Sequence, residues 1–120
     1  MIEAVKVFLE RLGRGEQIEF KETIGLIDAC YDYQPIRFRN GLGARCVVSE
    51  AGTNEGSLKI FSFAQLHGLE PLDTLKLFGH FYHEDVLNDP DGSGHPNIRN
   101  FMESGWEGIV FEGVALMPKA

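Results

Sequence analysis

A run of turn-forming residues, NDPDGSGHPNIRN (88–100), carries oxygen-bearing side chains at alternate positions. Asp89, Asp91 and Ser93 stand at the first, third and fifth positions of a calcium-binding EF-hand loop. The twelfth position, where that loop needs a bidentate carboxylate, is Asn100. Asp, Pro, Gly and Ser are also the residues that tight turns require, so the run favours an ordinary turn. A weak, partly hydrated cation site at Asp89 and Asp91 is the alternative.

Two histidines, His80 and His83, lie three residues apart on the polar side of a predicted helix. Imidazoles at that spacing can begin a metal site, but a zinc site needs a third protein ligand. His95 supplies that ligand only if the acidic turn folds back onto this helix. Lys76, four residues before His80, adds a positive charge that opposes a metal ion. The pattern therefore favours solvated histidines with local ion pairs, and a metal site is the alternative.

Three arginines, Arg37, Arg39 and Arg45, surround the glycine-rich stretch NGLGA. The stretch has neither the Lys-Ser/Thr of a P-loop nor the spacing of a dinucleotide-binding loop. The pattern favours ion pairs with the surplus Asp and Glu of the chain. The alternative is a site for a carboxylate or a phosphate, which arginines beside loop amides can hold. A catalytic nucleophile is not indicated, because the sequence has no G-x-S-x-G elbow and no cysteine in a catalytic signature.

The elements that must position these residues follow from apolar periodicity. Helical spacing predicts helices over residues 2–12, 22–31, 70–87 and 96–104. Residues 57–68, the third segment, are apolar on nearly every face and form either a central buried helix or a core strand; their length favours the helix. In the fourth helix, five residues are predicted to form one buried stripe: Leu72, Leu75, Phe78, Tyr82 and Val86.

Three helix ends carry further predictions. Asn54 or Ser57 is predicted to cap the third helix, and Asp91 or Ser93 the fifth. His67 is predicted near the C-terminus of the third helix, where the helix dipole favours a positive charge.

Strand signals are confined to two segments. Residues 36–48 alternate polar and apolar side chains around Asn40-Gly41, which predicts a short hairpin with a tight turn. Residues 105–117 are predicted to form one or two strands. The sum is an α+β fold over a single domain, residues 1–120, mostly helical with a small antiparallel β element.

The net charge of −7 opposes binding to nucleic acid or to an anionic membrane, since both need a surplus of Lys and Arg. The two cysteines, Cys30 and Cys46, have no metal-ligand spacing and are predicted to be reduced, as in a cytosol. No apolar run approaches the roughly 20 residues of a membrane span. No cofactor is predicted.

Several stretches together resemble the HopJ type III effector family. They are FRNG, AGTNEGS, KIFSFAQLHGL, DTLKLFGHFYHEDVL and HPNIRNFMESGWEGIVFEG, within residues 19–113. The resemblance implies a small, single-domain bacterial protein and implies no particular activity. It draws attention to four residues of the last stretch as binding candidates: His95, Asn97, Arg99 and Trp106.

Two functions follow from these observations. The first is a protein-interaction module, with Trp106 and Arg99 as anchors because Trp and Arg are common at interface centres. The second is a small metal-dependent enzyme or anion-binding protein that uses His80, His83 and His95 with Arg37 and Arg39. An amphipathic helix at the start, in place of a polar leader, favours a resident of the bacterial cytoplasm. Type III secretion into a host cell is the alternative, and the partner is not identified.

Overall fold

The computed structural model describes residues 2–119. The chain begins with two amphipathic helices, α1 (Ile2–Gly13) and α2 (Phe20–Cys30). Their apolar residues recur at helical spacing, so each helix buries one face, with Phe8 and Ile27 among the buried residues. Both predicted helices are confirmed, although Tyr31 already belongs to a strand.

The strands form two small antiparallel sheets. Strand β1 (Tyr31–Tyr33) pairs with β5 (Leu116–Pro118) near the end of the chain. The second sheet has three strands, β2 (Phe38–Asn40), β3 (Val47–Ser49) and β4 (Val110–Phe111), in the order β3-β2-β4.

The predicted hairpin is confirmed, but the prediction of a tight turn at Asn40-Gly41 is wrong. Asn40 is the last residue of β2 and pairs with Val47, so the connection is longer and contains a 3-10 turn at Gly43–Arg45. The Asn40 side chain is fully buried and therefore unavailable to an exposed turn. Residues 105–117 were predicted to form one or two strands, and two are observed there, β4 and the start of β5.

Helix α3 (Glu55–Leu66) lies at the centre of the molecule. It is apolar on nearly every face, and Leu58, Ile60, Phe61 and Phe63 are all fully buried. Asn54 stands at its N-cap but its side chain donates to Ser49 Oγ instead, at 2.9 Å, and Ser57 lies inside the helix.

The helix predicted over residues 70–87 is interrupted. Helix α4 (Pro71–Lys76) ends early, and a π-helical segment (Phe81–Val86) follows after Gly79. Gly79 adopts a φ of +60°, which is outside the helical region. Four residues of the predicted stripe are buried: Leu75, Phe78, Tyr82 and Val86. The prediction is wrong for Leu72, which is 55% exposed.

Helix α5 (Pro96–Ser104) matches its predicted bounds, and a 3-10 turn at Gly105–Gly108 leads from it into β4. The helices and both sheets share one apolar core, within overall dimensions of 40 × 31 × 21 Å. The fold is therefore α+β, as predicted. Within residues 2–119, no helix is both long and apolar enough to cross a bilayer.

Candidate functional site

The acidic turn is filled by an arginine of the protein itself. Arg99, on the first turn of α5, donates from Nη1 to the carbonyl oxygen of Asp89 at 2.8 Å and from Nε to that of Gly94 at 2.5 Å. The Asp89 carboxylate lies 4.0 Å from Nη2 of the same guanidinium. The side chain is only 17% exposed. Arg99 thus occupies the position that a cation would take, which corrects the expectation that it is free to bind a partner.

The predicted caps of α5 are also wrong. His95 occupies the N-cap in the left-handed conformation, with φ of 56°, and across residues 2–119 no side chain caps this helix. Asp91 and Ser93 are exposed.

His80 and His95 lie beside different carboxylates and do not share a site. His80 Nδ1 lies 3.3 Å from Glu19 Oε2, while His95 Nε2 lies 3.1 Å from Asp85 Oδ2. The acidic turn therefore does fold back onto the segment that carries His80 and His83, but it places His95 beside the carboxylate of Asp85 and not beside the other histidines. His83 lines a different groove, beside Lys76. Over the part of the chain that the structure describes, no three His, Cys, Asp or Glu side chains form a group suited to a metal ion.

His67 lies at the C-terminus of α3 as predicted, but its environment does not favour a charge. Its Nε2 lies 2.6 Å from the hydroxyl of Tyr31. Partial burial lowers the pKa of His67 from its ordinary value, because removal from water disfavours the charged imidazole.

Of the three clustered arginines, only Arg39 has a side chain free of partners among residues 2–119. Arg37 pairs with Glu50, at 3.1 Å, and with Glu112, and so ties together the ends of β3 and β4. These carboxylates raise the pKa of Arg37, with the hydrogen bond to Glu50 the largest cause. Arg45 pairs with Glu103 of α5 at 3.0 Å.

Arg39 points outward from the middle of the three-stranded sheet. It pairs in register with Val48 of β3 on one side and with Val110 of β4 on the other. Both valines are exposed, at 44% and 42%. We call Arg39, Val48 and Val110 the Arg39 patch.

Asparagines fasten α5 to the hairpin. Asn40 Nδ2 donates to the backbone oxygen of Asn97 at 2.7 Å and to its Oδ1 at 2.9 Å. Asn100 Nδ2 donates in turn to the carbonyl oxygens of Asn40, at 3.1 Å, and Arg45, at 2.7 Å. The sequence showed no periodic signal for Asn40 and Asn100. Gly41 leaves room for this contact, because a Cβ there would lie 2.7 Å from Asn100 Nδ2, but the sequence tied this glycine only to a turn.

Trp106 is partly buried and packs against the core. Its indole nitrogen donates to the carbonyl oxygen of Leu69 at 3.0 Å. The ring packs edge-on against Phe101, with 5.0 Å between centroids, and against Phe61. These contacts hold the half-buried ring against the core, and a role of Trp106 in binding stays a prediction.

A cleft of about 420 Å³ opens between the N-termini of α3 and α5. Its apolar walls include Phe20, Phe78 and Phe81, and the first residues of both helices line the remainder. Of the predicted binding residues, His95 and Asn97 reach this cleft. The structure thus brings two of the six binding candidates together and leaves Arg39 on a separate surface.

One family model and one solved structure match this chain. Residues 5–116 match the HopJ type III effector protein family. The crystal structure of the unknown-function protein VPA0580 is similar to this chain, with a TM-score of 0.90 and 46% sequence identity. The similarity covers 95% of this chain and 92% of that one. No curated protein matches. Because that family model spans most of the chain, the chain belongs to the HopJ type III effector family.

Proposed function

We propose that this protein is a protein-interaction module and that it docks a partner through the Arg39 patch. The observation that carries the proposal is an exposed arginine, flanked by two exposed valines, with no ion-pair partner among residues 2–119. The chain has 18 Asp and Glu against 11 Lys and Arg, so acceptors for an arginine are abundant. An arginine that nevertheless stays unpaired is available to another molecule.

The patch specifies the chemistry of the partner. A guanidinium binds a carboxylate with two parallel hydrogen bonds, which gives direction as well as attraction. The valines on either side bury apolar surface when a partner covers them. We therefore expect a protein segment with an Asp or Glu flanked by apolar side chains.

Rigidity favours this surface as a docking site. Arg37 clamps the ends of the two outer strands, and the asparagine bonds hold α5 beneath the hairpin. A preorganised surface loses less conformational entropy on binding. The metal-dependent alternative has no comparable support, since the described residues hold no three-ligand group.

We further propose that the protein acts in the bacterial cytoplasm or, after type III secretion, in a host cell. The support for secretion is membership of a family of type III effector proteins. A reporter fused to the C-terminus and followed in strains with and without a working type III apparatus separates the two locations.

The proposed interaction is tested by panning a random peptide library against the full chain. Selected peptides are expected to carry an acidic residue between apolar residues. Their affinity, measured by calorimetry, should fall at least roughly tenfold in Arg39→Glu, the loss expected of an interface hot spot. Arg14→Glu makes the same charge change at an exposed arginine of another region and should retain binding.

Equal binding to wild type and Arg39→Glu would overturn the proposal. So would the absence of any enriched acidic peptide. Circular dichroism of both variants establishes that each is folded before its binding is compared.

A further inference from the structure

We propose that the cleft between the N-termini of α3 and α5 binds a small organic anion. The anionic group lies at the helix starts, and the apolar body lies against the phenylalanine walls. We call this site the Asn97 cleft. It shares no residue with the Arg39 patch and does not depend on the proposed interaction.

Two residues from the start of each helix line the cleft. Gly56 and Ser57 are the second and third residues of α3, and Asn97 and Ile98 are the second and third residues of α5. Amides at these positions have no partner within their own helix, and the helix dipole places partial positive charge there. Two helix starts at one cleft therefore favour an anion.

The residues that would ordinarily cap these helices have side chains engaged elsewhere. Asn54, at the start of α3, donates to Ser49. His95, at the start of α5, pairs with Asp85. Both residues adopt the left-handed conformation, and no side-chain cap is found on either helix among residues 2–119. The amides at both helix starts are thus left to a ligand.

The Asn97 side chain is an independent indication of a ligand. It lines the cleft and is only 4% exposed. Its Oδ1 accepts a hydrogen bond from Asn40, which orients the amide group. The other polar atom of the side chain, the donor Nδ2, is not used by this bond. Within residues 2–119, no acceptor for that Nδ2 is found. This Nδ2 is not among the fully buried unpaired atoms of the described residues, so it keeps some contact with solvent. An oxygen of a bound anion would give it a hydrogen-bond partner.

The rest of the cleft fits an apolar body. Phe20, Phe78 and Phe81 form its walls, and Phe20 approaches closely because residue 56 is glycine, where a Cβ would lie 2.9 Å from the ring. The volume of about 420 Å³ falls within the usual range for small-molecule sites. A carboxylic acid and a phosphate monoester share the chemistry that this site recognises.

The test titrates the full, isotope-labelled chain with benzoate, phenyl phosphate, inorganic phosphate and benzyl alcohol, followed by NMR. Benzoate or phenyl phosphate is expected to shift the amide signals of Gly56, Ser57 and Ile98 and the Nδ2 signal of Asn97, to saturation. The tighter of the two identifies carboxylate or phosphate as the preferred group. Inorganic phosphate lacks the apolar body and benzyl alcohol lacks the charge, so each should bind at least roughly tenfold more weakly.

A matched pair of variants assigns the binding to the cleft. Asn97→Asp keeps the oxygen that accepts from Asn40 and replaces the free donor by a carboxylate oxygen, so anion binding should fall at least roughly tenfold. Asn88→Asp makes the same change at an exposed position and should bind as the wild type does. If Asn97→Asp fails to fold, Ser57→Pro removes one amide donor, and Ser57→Ala serves as its control.

Three results would overturn the proposal. The first is unchanged anion affinity in folded Asn97→Asp or, where that variant does not fold, in Ser57→Pro. The second is binding of benzyl alcohol as tight as that of the anions. The third is the absence of saturable shifts with any anionic probe.

Discussion

Arg99 shows how a side chain of the protein can replace a metal ion in an acidic turn. A calcium loop turns carbonyl and carboxylate oxygens inward because the cation compensates their mutual repulsion. Here the guanidinium of Arg99 takes that role, with donors to the carbonyl oxygens of Asp89 and Gly94. Because the guanidinium is anchored in α5, it ties the turn to the helix that follows it.

Removal of this guanidinium should destabilise the protein. Arg99→Ala leaves inward carbonyl oxygens without donors, and charged hydrogen bonds contribute about 1.5–3 kcal/mol each. We expect the free energy of unfolding to fall by about 2 kcal/mol in urea melts.

Asp91→Ala is the matched control for the turn. Asp91 is exposed and forms no cap, so its removal should change stability by less than about 0.5 kcal/mol. Equal losses in the two variants would show that the acidic side chains, and not Arg99, hold the turn.

His67 should make stability depend on pH below neutrality. Burial lowers the pKa of His67 in the folded protein below the value of about 6.5 in the unfolded chain. Between the two values the unfolded chain binds more protons, so stability rises with pH. The contribution is therefore complete above about pH 6.5 and is lost as pH falls toward the lowered folded pKa.

Urea melts at about pH 7.5 and 5.5 test this prediction. The two values lie about one unit to either side of the pKa of about 6.5 in the unfolded chain. Wild type should lose more stability between them than His67→Gln, which keeps an acceptor for Tyr31. Glu16 and Glu22, whose pKa values arginine hydrogen bonds lower, contribute a loss of the same sign only below about pH 4.3. The same loss in both proteins would contradict the assignment to His67.

At the scale of elements, the break between α4 and the π-helical segment is imposed by packing against α2. A Cβ at Gly79 would lie 2.6 Å from the backbone nitrogen of Phe20 and 3.0 Å from the carbonyl oxygen of Ile18. Only glycine permits both that approach and the φ of +60°. The chain therefore turns at Gly79, and the aromatic ring of Phe81 comes to lie 5.0 Å from that of Phe20.

Gly79→Ala should consequently be among the more damaging single substitutions. The added methyl meets backbone atoms that cannot rotate away, and the left-handed conformation adds roughly 1–2 kcal/mol for a residue with a Cβ. We expect a loss of at least about 3 kcal/mol in the free energy of unfolding, measured in urea.

Gly25→Ala provides the comparison within α2. Nothing lies within 4 Å of a Cβ at Gly25, so alanine should be neutral or stabilise the helix by about 0.5–1 kcal/mol. A mild effect at Gly79, similar to that at Gly25, would mean that the helix can continue through residue 79.

These two glycines illustrate what could be predicted from the sequence. Helix bounds such as those of α5 followed from local apolar spacing, as did the hairpin pairing. The break at Gly79 depends on residues 18–20, which are distant in sequence, so periodicity alone extended the helix through it. The intramolecular roles of Trp106 and Arg99 were missed for a different reason. Both residue types are common at interfaces, and their acceptors within the protein are backbone carbonyls, which any residue type can supply.

At the scale of the whole molecule, Phe61 joins elements from distant parts of the chain. Its ring contacts Phe38 of β2, Phe78 after α4, Phe101 of α5 and Trp106 of the 3-10 turn. It is fully buried at the centre of α3. A residue in this position couples the sheet to the helices, so its loss should weaken the whole core at once.

Phe61→Ala is therefore expected to lower the free energy of unfolding by about 3–5 kcal/mol, the usual cost of emptying a buried aromatic site. Leu66→Ala is the control on the same helix, since Leu66 is 54% exposed and its loss should cost under about 0.5 kcal/mol. The single tryptophan, Trp106, packs against Phe61, so its fluorescence reports on the core, while far-ultraviolet circular dichroism reports on the helices. If residues 1–120 form one domain, the two signals should give one coincident urea transition, and Phe61→Ala should move both together. Separate transitions, or a shift of the fluorescence alone, would show that the core around Phe61 unfolds independently of the rest.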